Sequence, residues 1–344
     1  MTTQLLRLAV IGCGRIGRIH AENLATRIPG ARLEALADVA GNVAKEVAGP
    51  LHVAKATADY RQLLADPQVD AVAICSSTDT HARIIREAAA AGKHIFCEKP
   101  IDYDLARIRA ALAAVDQAGV KLQIGFNRRF DPSFAKVREL VASGAVGQPH
   151  LIRITSRDPG PPPLEYIRVS GGIFLDMTIH DFDMVRFLSG SEAESIYAIG
   201  GALVDPAIGE AGDVDTAIVT MRLRNGALAT IDNSRKAVYG YDQRLEVFGS
   251  KGSASAGNRT PDAHVLTDSE GVHEARPLHF FLERYAEAYV IEMRAFVEAV
   301  REDHAPPVTG MDGLQPVVMG LAATRSLREG RPVKLSEIGM VEQR

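Results

Sequence analysis

The sequence has few of the features that mark membrane or secreted proteins. No apolar run approaches the length of about 18 residues that a helix needs to cross a bilayer, so no transmembrane segment is predicted. Residues 1–10 lead into a glycine-rich segment with Arg15 and Arg18, and they lack the long apolar stretch and cleavage site of a signal peptide. The 3 cysteines, an odd number, argue against a disulfide framework and for a reducing compartment. We therefore expect a soluble cytoplasmic protein.

Positive charge is not in excess either. The chain has 39 lysines and arginines against 43 aspartates and glutamates, which gives a net charge of −4. Because positive charge is not in excess, we do not expect the protein to bind a nucleic-acid backbone or an anionic membrane surface. The expected binding partner is a small molecule. The composition, with 46% hydrophobic and 24% charged residues in 344, is that of a globular protein long enough for two domains.

Two periodicities alternate over the first 125 residues. Short, continuous apolar runs are typical of strands buried on both faces of a parallel sheet, and the Ala-rich amphipathic segments between them predict helices. The predicted strands are 5–11, 32–37, 71–75, 94–97 and 121–124, and the predicted helices include 15–28, 80–91 and 105–118. This alternation predicts an α/β domain with a doubly wound parallel sheet. The carboxyl ends of its strands then meet at one edge, where ligands bind.

After about residue 125 the pattern changes. Four prolines between positions 158 and 163 exclude a helix or a central strand there, and Asn225-Gly226 predicts a hairpin between two strands. Helices are predicted over 133–143, 173–188, 280–301 and 312–328, with a strand ending at 155 and further strands over 195–256. The second half is thus an α+β domain with a mostly antiparallel open sheet. We place the domains at 1–125 and 126–344, with the last helix free to pack back on the first.

The segment from Gly12 to Gly17 is a G-x-G-x-x-G motif that follows a predicted strand and opens a predicted helix. Its glycines allow a tight turn, close approach of the backbone to a pyrophosphate, and packing of the helix on the sheet. The helix N-terminus then stabilises the phosphate charge. We predict that this first domain is a Rossmann domain and that its dinucleotide contacts include Gly12, Gly14, Arg15, Ile16 and Gly17.

Asp38 ends the second predicted strand, 21 residues after Gly17. A carboxylate at this position accepts hydrogen bonds from an adenosine ribose and repels a 2′-phosphate, and no arginine follows at positions 39 or 40. This favours NAD over NADP. An aspartate that merely caps a turn is the alternative.

The segment from Ser76 to His81 follows another predicted strand and shares the ligand edge. Ser76, Thr78 and His81 are predicted cofactor contacts, although such residues also cap helix N-termini. The three cysteines, Cys13, Cys75 and Cys97, also fall near this edge. Because they lack C-x-x-C spacing and a histidine cluster, we interpret them as buried thiols and predict no metal.

Two further motifs are candidates for chemistry. Lys99 lies in Glu98-Lys99-Pro100 directly after a buried strand, which predicts a position beside a nicotinamide. A solvated lysine paired with Glu98 is the alternative, and the sequence leaves the isomer of the Lys99–Pro100 bond open.

Asp176 and His180 have the i, i+4 spacing of one helix face. A carboxylate beside a histidine can fix its tautomer and raise its basicity, as a general base requires. A purely structural pair, or a metal site completed by Asp183, remains an alternative.

Together these motifs resemble the glucose–fructose oxidoreductase/inositol dehydrogenase family of two-domain NAD(P)-dependent sugar oxidoreductases, over essentially the whole chain. The resemblance rests on the motif at 12–17, on Glu98-Lys99-Pro100 and on the segment from Gly171-Gly172 to His180. The segments 125–131, 156–159, 239–242 and 281–285 look like the inositol 2-dehydrogenase branch, although Ser156 and Asp158 stand where some members have histidine and asparagine.

The resemblance implies a catalytic triad of Lys99, Asp176 and His180. It implies that Glu98 and Lys99 contact the cofactor, and that the triad contacts the polyol together with Arg128, Asp158 and Tyr241. A plainer interpretation makes Arg128 and Arg129 a solvated pair and Tyr239 and Tyr241 outward residues of a strand. The family also implies a homotetramer assembled through the antiparallel sheet.

The expected activity is NAD-dependent oxidation of a ring hydroxyl to a ketone, with myo-inositol as the polyol and His180 as the general base. The alternatives are a dehydrogenase of scyllo-inositol or another sugar, a non-catalytic NAD-binding regulator, and a metal-dependent lyase or isomerase. The expectation requires Lys99 and the Asp176/His180 pair to converge on one nicotinamide ring.

Overall fold

The structure is a computed structural model and describes residues 5–339. Positions 1–4, part of the segment assessed for a signal peptide, lie outside the described residues. None of the helices in the described range is both long and apolar enough to cross a membrane.

The first sheet has six strands, all parallel, in the order β3-β2-β1-β4-β5-β6. Its strands are β1 (Leu6–Ile11), β2 (Ala31–Ala37), β3 (Lys55–Thr57), β4 (Ala71–Ile74), β5 (His94–Glu98) and β6 (Leu122–Gly125). The helices that alternate with them are α1 (Arg15–Thr26), α2 (Gly41–Ala48), α3 (Arg61–Leu64), α4 (Thr78–Ala90) and α5 (Leu105–Ala118). Every residue of β4 is buried, as in a central strand covered on both faces.

This architecture confirms the predicted doubly wound parallel sheet. The strand order reverses between β1 and β4, the point at which such sheets bind their ligands. The sequence pattern missed β3, because this edge strand has three residues and none of them is fully buried.

The second sheet has seven strands in the order β12-β11-β7-β10-β9-β8-β15, and only β7 and β10 run parallel. Its strands are β7 (Pro149–Arg157), β8 (Ala193–Gly201), β9 (Thr216–Leu223), β10 (Leu228–Ser234), β11 (Asp242–Gly249), β12 (Gly252–Ala256) and β15 (Val333–Lys334). A separate hairpin consists of β13 (Val265–Asp268) and β14 (Gly271–Glu274). The helices of this part are α6 (Pro132–Ala142), α7 (Leu164–Ile167), α8 (Ile173–Asp176), α9 (Ile179–Ser189), α10 (Pro206–Glu210) and α11 (Phe281–Arg284).

The predicted α+β domain with a mostly antiparallel sheet is confirmed. Successive residues of β9 alternate between exposed and buried, so one face of the sheet packs inward and the other is open. The predicted hairpin joins β9 to β10, with Leu228 opposite Arg222.

The prediction of one helix over 173–188 is wrong. The amides of Met177 and Thr178 both donate to the carbonyl of Ile173, each at 2.9 Å, so the regular hydrogen-bond ladder breaks there. The buried hydroxyl of Thr178 donates to Oδ1 of Asn233 in β10 at 2.6 Å. A tertiary hydrogen bond therefore accompanies the break between α8 and α9.

This break changes the geometry of the candidate general base. Asp176 is the last residue of α8 and His180 is the second residue of α9. The predicted sharing of one face of one helix is therefore wrong, since the i, i+4 rule applies only within a continuous helix.

Two helices close the chain, α12 (Ala286–Arg301) and α13 (Gly310–Glu329). The helix predicted over 280–301 is interrupted at Tyr285, whose buried ring packs edge-on against Phe134 and Tyr241.

By contacts the chain forms two compact units. The first unit comprises the residues up to Phe130 together with 287–315, and the second comprises 131–286 together with the residues from Pro316 onward. The segment 287–315, which the sequence assigned to the second domain, belongs to the first unit. The reason is apolar burial, since α12 contributes side chains to the hydrophobic cluster around α1 and β1: Val290, Met293, Phe296 and Val297.

Candidate functional site

The three glycines of the motif at 12–17 lie in different environments: Gly12 and Gly14 are in the loop between β1 and α1, and Gly17 is in the first turn of α1. Gly12 has a φ of +94°, and a Cβ there would lie 2.5 Å from the backbone nitrogen of Ser76. A Cβ on Gly17 would lie 1.8 Å from the carbonyl oxygen of Gly12. A Cβ on Gly14 would meet no heavy atom within 4 Å. The first and third positions therefore require glycine for packing, and the second leaves the backbone open to an approaching phosphate.

A cavity of about 350 Å³ lies beside this loop. Residues that follow β1, β2, β3 and β4 line it, as expected where the carboxyl ends of parallel strands meet. Four of the predicted cofactor contacts are among them: Gly12, Gly14, Asp38 and Ser76. The lining thus fits the adenosine and phosphate end of a dinucleotide.

The Asp38 side chain links the ends of β1 and β2 by hydrogen bonds at this cavity. Its Oδ2 accepts a hydrogen bond from the backbone nitrogen of Cys13 at 2.8 Å, and its Oδ1 accepts one from that of Ala40 at 2.9 Å. The aspartate therefore caps a turn, as the plainer interpretation held, and also places its carboxylate at the cavity wall. The two residues after Asp38, Val39 and Ala40, are uncharged, so neither brings a positive charge to this carboxylate.

Tyr60 and Arg83 also line the cavity, and the sequence analysis missed both. The Tyr60 hydroxyl donates to Glu87 at 2.8 Å and accepts from Arg83 at 3.2 Å. Burial, helped by the Glu87 carboxylate, raises the pKa of Tyr60. The signal that could have found Tyr60 is its place just after β3, but that strand is too short to be recognised by periodicity.

The other residues predicted from this half lie outside the cavity lining. Arg15, Ile16 and Gly17 open α1, and Thr78 opens α4. The N-cap residue of α4 is Ser77, and its side chain makes no capping hydrogen bond. The hydroxyl of the preceding residue, Ser76, is hydrogen-bonded to that of Thr80 at 2.7 Å.

His81 joins two loops. Its buried ring lies with Nδ1 2.8 Å from the carbonyl oxygen of Pro100 and Nε2 2.9 Å from that of Ser76. The Lys99–Pro100 peptide bond is cis, which settles the question that the sequence left open. His81 therefore holds the loop with Lys99 next to the loop that follows β4, and Lys99 itself is half-buried there.

Glu98 belongs to a buried cluster that the sequence analysis did not foresee. Its Oε1 lies 2.8 Å from Nε2 of His20 in α1, and Glu292 of α12 completes the group. Within residues 5–339, neither carboxyl oxygen of Glu292 has a hydrogen-bond partner. Burial, with the nearby Glu98 charge, raises the pKa of Glu292 well above its usual range and so favours the neutral acid.

The same three side chains have metal-ligand chemistry, with donor atoms within 4.8 Å of one another. The 2.8 Å contact between His20 and Glu98 is a normal hydrogen bond, whereas neighbouring ligands of a tetrahedral zinc ion lie roughly 3.3 Å apart. The geometry therefore fits a direct hydrogen bond between His20 and Glu98 better than a bound metal ion. The three cysteines are free, and burial raises the pKa of each, that of Cys13 to about 11.

In the second unit, both carboxyl oxygens of Asp176 have partners. The Tyr166 hydroxyl donates to Oδ1 at 2.8 Å, and Nη1 of Arg235 lies 3.1 Å from Oδ2. His180 is half-buried near the start of α9. Asp183 pairs with Arg186 at 3.7 Å, and the described residues hold no group of metal donors made of Asp176, His180 and Asp183.

The predicted polyol contacts are not solvated surface residues. Arg128 is 4% exposed, and Arg129 pairs with Asp312 at 2.9 Å, so the interpretation as a solvated pair is wrong. Tyr241 is 5% exposed, so it is not an outward strand residue, whereas Tyr239 is 40% exposed.

Asp158 follows the end of β7. Its backbone nitrogen donates to the carbonyl of Ser234 at 2.9 Å, and its own carbonyl accepts from Ala237 at 2.6 Å. β7 and β10 are parallel neighbours, so Asp158 and Arg235 follow strand ends on the same side of the sheet. No signal in the sequence identifies Arg235, because the parallel pairing of β7 with β10 is a tertiary feature.

The predicted triad is thus divided between the two units. Lys99 lies in the first, and Asp176 and His180 lie in the second. Their expected convergence on one ring stays a prediction.

Comparisons with known proteins match both units. A model of the oxidoreductase family described as an NAD-binding Rossmann fold matches residues 6–126, and a model of the GFO/IDH/MocA C-terminal domain matches residues 134–255. The chain is 53% identical to the myo-inositol 2-dehydrogenase of Thermotoga maritima over 333 residues, which cover 97% of this chain and 99% of the relative.

Two further proteins extend the comparison. The chain is 46% identical to the inositol 2-dehydrogenase of Rhizobium meliloti over 332 residues, which cover 96% of this chain and 99% of the relative. Among solved structures, the scyllo-inositol dehydrogenase of Lactobacillus casei with bound NAD(H) and scyllo-inositol superposes with a TM-score of 0.91. That structure is 32% identical, and the match covers 97% of this chain and 100% of that one.

Proposed function

Since the chain belongs to the GFO/IDH/MocA family of oxidoreductases, we propose that it is an NAD-dependent dehydrogenase that oxidises a ring hydroxyl of myo-inositol to a ketone. The identity of about half of all residues with named inositol dehydrogenases, over nearly the full length, carries the proposal. The open backbone at Gly14 and the Asp38 carboxylate at the cavity wall support NAD as the cofactor.

The cofactor residues have distinct tasks. The segment from Gly12 to Gly17, which includes the N-terminus of α1, binds the pyrophosphate, and Asp38 accepts hydrogen bonds from the adenosine ribose. Glu98 and Lys99 lie at the end of β5, on the edge that receives the nicotinamide. Bound there, NAD supplies the acceptor for the hydride that leaves the substrate carbon.

The chain's own residues then handle the proton. His180 takes the proton of the hydroxyl as general base, and Asp176 orients His180 and stabilises its cationic form. Lys99 donates a hydrogen bond to the developing alkoxide, where a positive charge in a dry site stabilises the transition state most. The products balance as ketone, NADH and one proton.

Arg128, Asp158 and Tyr241 are the proposed polyol contacts beside the triad. The burial of Arg128 and Tyr241 supports this, because side chains shielded from bulk water bind hydroxyl groups more strongly than solvated ones. The structure of the Lactobacillus casei enzyme with scyllo-inositol makes that isomer the competing substrate.

We also propose a homotetramer that assembles through the open face of the second sheet. Apolar side chains on this face are about half exposed, and Ile199 lies directly opposite Ile218 in the register of β8 and β9. The other members of this apolar face are Leu228 in β10 and Phe248 in β11. A second copy of the same face would remove these side chains from water.

A reducing, cytoplasmic location completes the proposal. It is supported by the three free thiols, two of them fully buried, which need no oxidising compartment to persist.

The test is initial rates of NAD reduction with myo-inositol, scyllo-inositol and glucose side by side. We expect the highest kcat/KM with myo-inositol. The variant His180→Ala should lower kcat by about 10²–10⁴-fold and leave NAD affinity nearly unchanged, because it removes only the base. His304→Ala, at an exposed histidine, is the control. Binding of NADH without turnover of any polyol would instead indicate a regulator.

A further inference from the structure

Arg235 is the largest fully buried side chain within the described range, with 1% exposure. It follows β10, and its backbone nitrogen donates to the carbonyl of Asp215 at 2.8 Å. A guanidinium is strongly hydrated in the unfolded chain, so burial at this position costs free energy unless carboxylates compensate the charge. The carboxylates that pair with Arg235 therefore indicate the role of this buried side chain.

Two carboxylates face Arg235. Nη1 lies 3.1 Å from Oδ2 of Asp176, and Nη2 lies 3.7 Å from Oδ2 of Asp213. The other oxygen of Asp213 accepts a hydrogen bond at 3.0 Å from the backbone nitrogen of Ile173, the first residue of α8. Arg235 and Asp213 thus hold both ends of the short helix that carries Asp176.

Gly172 shows how closely Asp213 approaches this helix. Its φ is +80°, and a Cβ there would lie 2.9 Å from Oδ1 of Asp213. Only glycine fits between the carboxylate and the start of α8 without strain. The Gly171-Gly172 pair in the sequence motif therefore has a physical reason within the second unit.

The remaining oxygen of Asp176 is also occupied, because the Tyr166 hydroxyl donates to Oδ1 at 2.8 Å. Each oxygen of the carboxylate then has one donor in a fixed direction. A four-residue helix cannot orient a side chain by its own ladder, since it closes hardly any internal hydrogen bonds. Arg235 and Tyr166 therefore contribute to the orientation of the Asp176 carboxylate.

We propose that Arg235 is a positioning residue, which acts on the reaction only by fixing the Asp176 carboxylate that orients His180. This inference rests on the proposed function, because it assumes that Asp176 and His180 handle the proton. Arg235 does not touch the substrate, and Tyr166 assists it from the other carboxylate oxygen.

The test is a double-mutant cycle on kcat with Arg235→Met and Asp176→Asn. Arg235→Met should lower kcat on the order of 10²-fold, the loss typical of a displaced catalytic group, with little change in the KM for the polyol or for NAD. In the Asp176→Asn background the same change should cost almost nothing further, because the group on which Arg235 acts is already neutralised. Additive losses would overturn the proposal.

Two milder variants keep the test decisive if Arg235→Met fails to fold. Arg235→Lys retains the charge and should recover part of the lost kcat. Tyr166→Phe, at a residue that is 48% exposed, should lower kcat by a smaller factor and again leave KM unchanged. A rise in the polyol KM at constant kcat in any of these variants would make Arg235 a substrate contact and refute the positioning role.

The cycle also separates this inference from the proposed function. If Asp176→Asn keeps full activity, the assignment of Asp176 fails, and the role of Arg235 fails with it. If Asp176→Asn loses activity and Arg235→Met keeps it, only the role of Arg235 is refuted.

Discussion

Asp38 and Glu292 are both carboxylates of the first unit, and they differ in the hydrogen-bond donors around them. Asp38 accepts hydrogen bonds from two backbone amides at the wall of a cavity that it lines. Glu292 is fully buried beside Glu98 and has no donor within the described range, which favours the neutral acid. At the residue scale, therefore, the surroundings of a carboxyl group rather than the residue type decide its role.

The first prediction concerns the choice of cofactor. Asp38→Ser removes the charge that binds the ribose and repels a 2′-phosphate, so the preference in kcat/KM for NAD over NADP should fall by about 10–100-fold, as expected for charged hydrogen bonds worth about 1.5–3 kcal/mol. Steady-state rates with both cofactors measure it. Asp59→Ser, at an exposed carboxylate outside the cavity lining, is the control. An unchanged preference would remove Asp38 from the ribose.

The second prediction is a pH dependence of stability. Folding raises the pKa of Glu292 from its ordinary value of 4.5, so the folded state binds the proton more tightly than the unfolded state. The stabilisation from this proton is complete below pH 4.5 and is lost as the pH rises toward the folded pKa. Glu292→Gln cannot titrate. Its free energy of unfolding should therefore fall less than that of the wild type between pH 5 and 9.

Urea unfolding across this pH range measures the effect. Glu298→Gln, at an exposed position of the same helix, should keep the wild-type slope. A metal-binding cluster would behave differently: Glu292→Gln would lower stability at every pH, and a chelator would destabilise the wild type. Either result would contradict a Glu292 carboxyl that holds a proton and no metal ion.

At the scale of secondary-structure elements, the junction of α8 and α9 depends on β10. Oδ1 of Asn233 accepts a hydrogen bond from the Thr178 hydroxyl at 2.6 Å, and Nδ2 of Asn233 donates one to the Asp181 carboxylate at 2.9 Å. All three side chains are buried, so the start of α9 is fixed to the sheet by polar contacts that water cannot replace. His180 lies between two of these anchored residues.

The third prediction tests that anchor. Thr178→Val keeps the side-chain shape and removes the hydroxyl, which leaves Oδ1 of Asn233 without this donor. We expect a loss of about 1–3 kcal/mol in the free energy of unfolding, with a lower kcat because His180 shifts with its helix. Thr178→Ser retains the hydroxyl and should stay close to the wild type in kcat. If both variants unfold at the wild-type urea midpoint, the hydrogen bond does not hold the junction.

At the scale of the whole molecule, the open face of the second sheet carries apolar side chains that are about half exposed. The fourth prediction is that Ile218→Arg dissociates the proposed tetramer, because a buried, unpaired charge at a contact between copies is strongly unfavourable. Sedimentation velocity measures the mass. Val272→Arg, at a 66% exposed residue of the separate hairpin, is the control and should leave the mass unchanged. A wild-type protein that sediments as a monomer would contradict the assembly.

Local chemistry alone determined a large part of this protein. The continuous apolar runs of the first half indicated the parallel sheet, because strands covered on both faces need no polar alternation. The motif at 12–17 indicated the nucleotide-binding segment, because it follows a predicted strand and opens a predicted helix. The resemblance to the oxidoreductase family, based on motifs of this kind, is confirmed by matches to both units.

Only the tertiary structure decided the rest. The break that separates Asp176 from His180, the buried Arg235 beside Asp176, and the pairing of His20 with Glu98 all arise from contacts between residues far apart in the chain. Periodicity describes one element at a time, and a buried polar group is satisfied by whichever element packs against it. That choice is made by the fold as a whole, so no local pattern in the sequence records it.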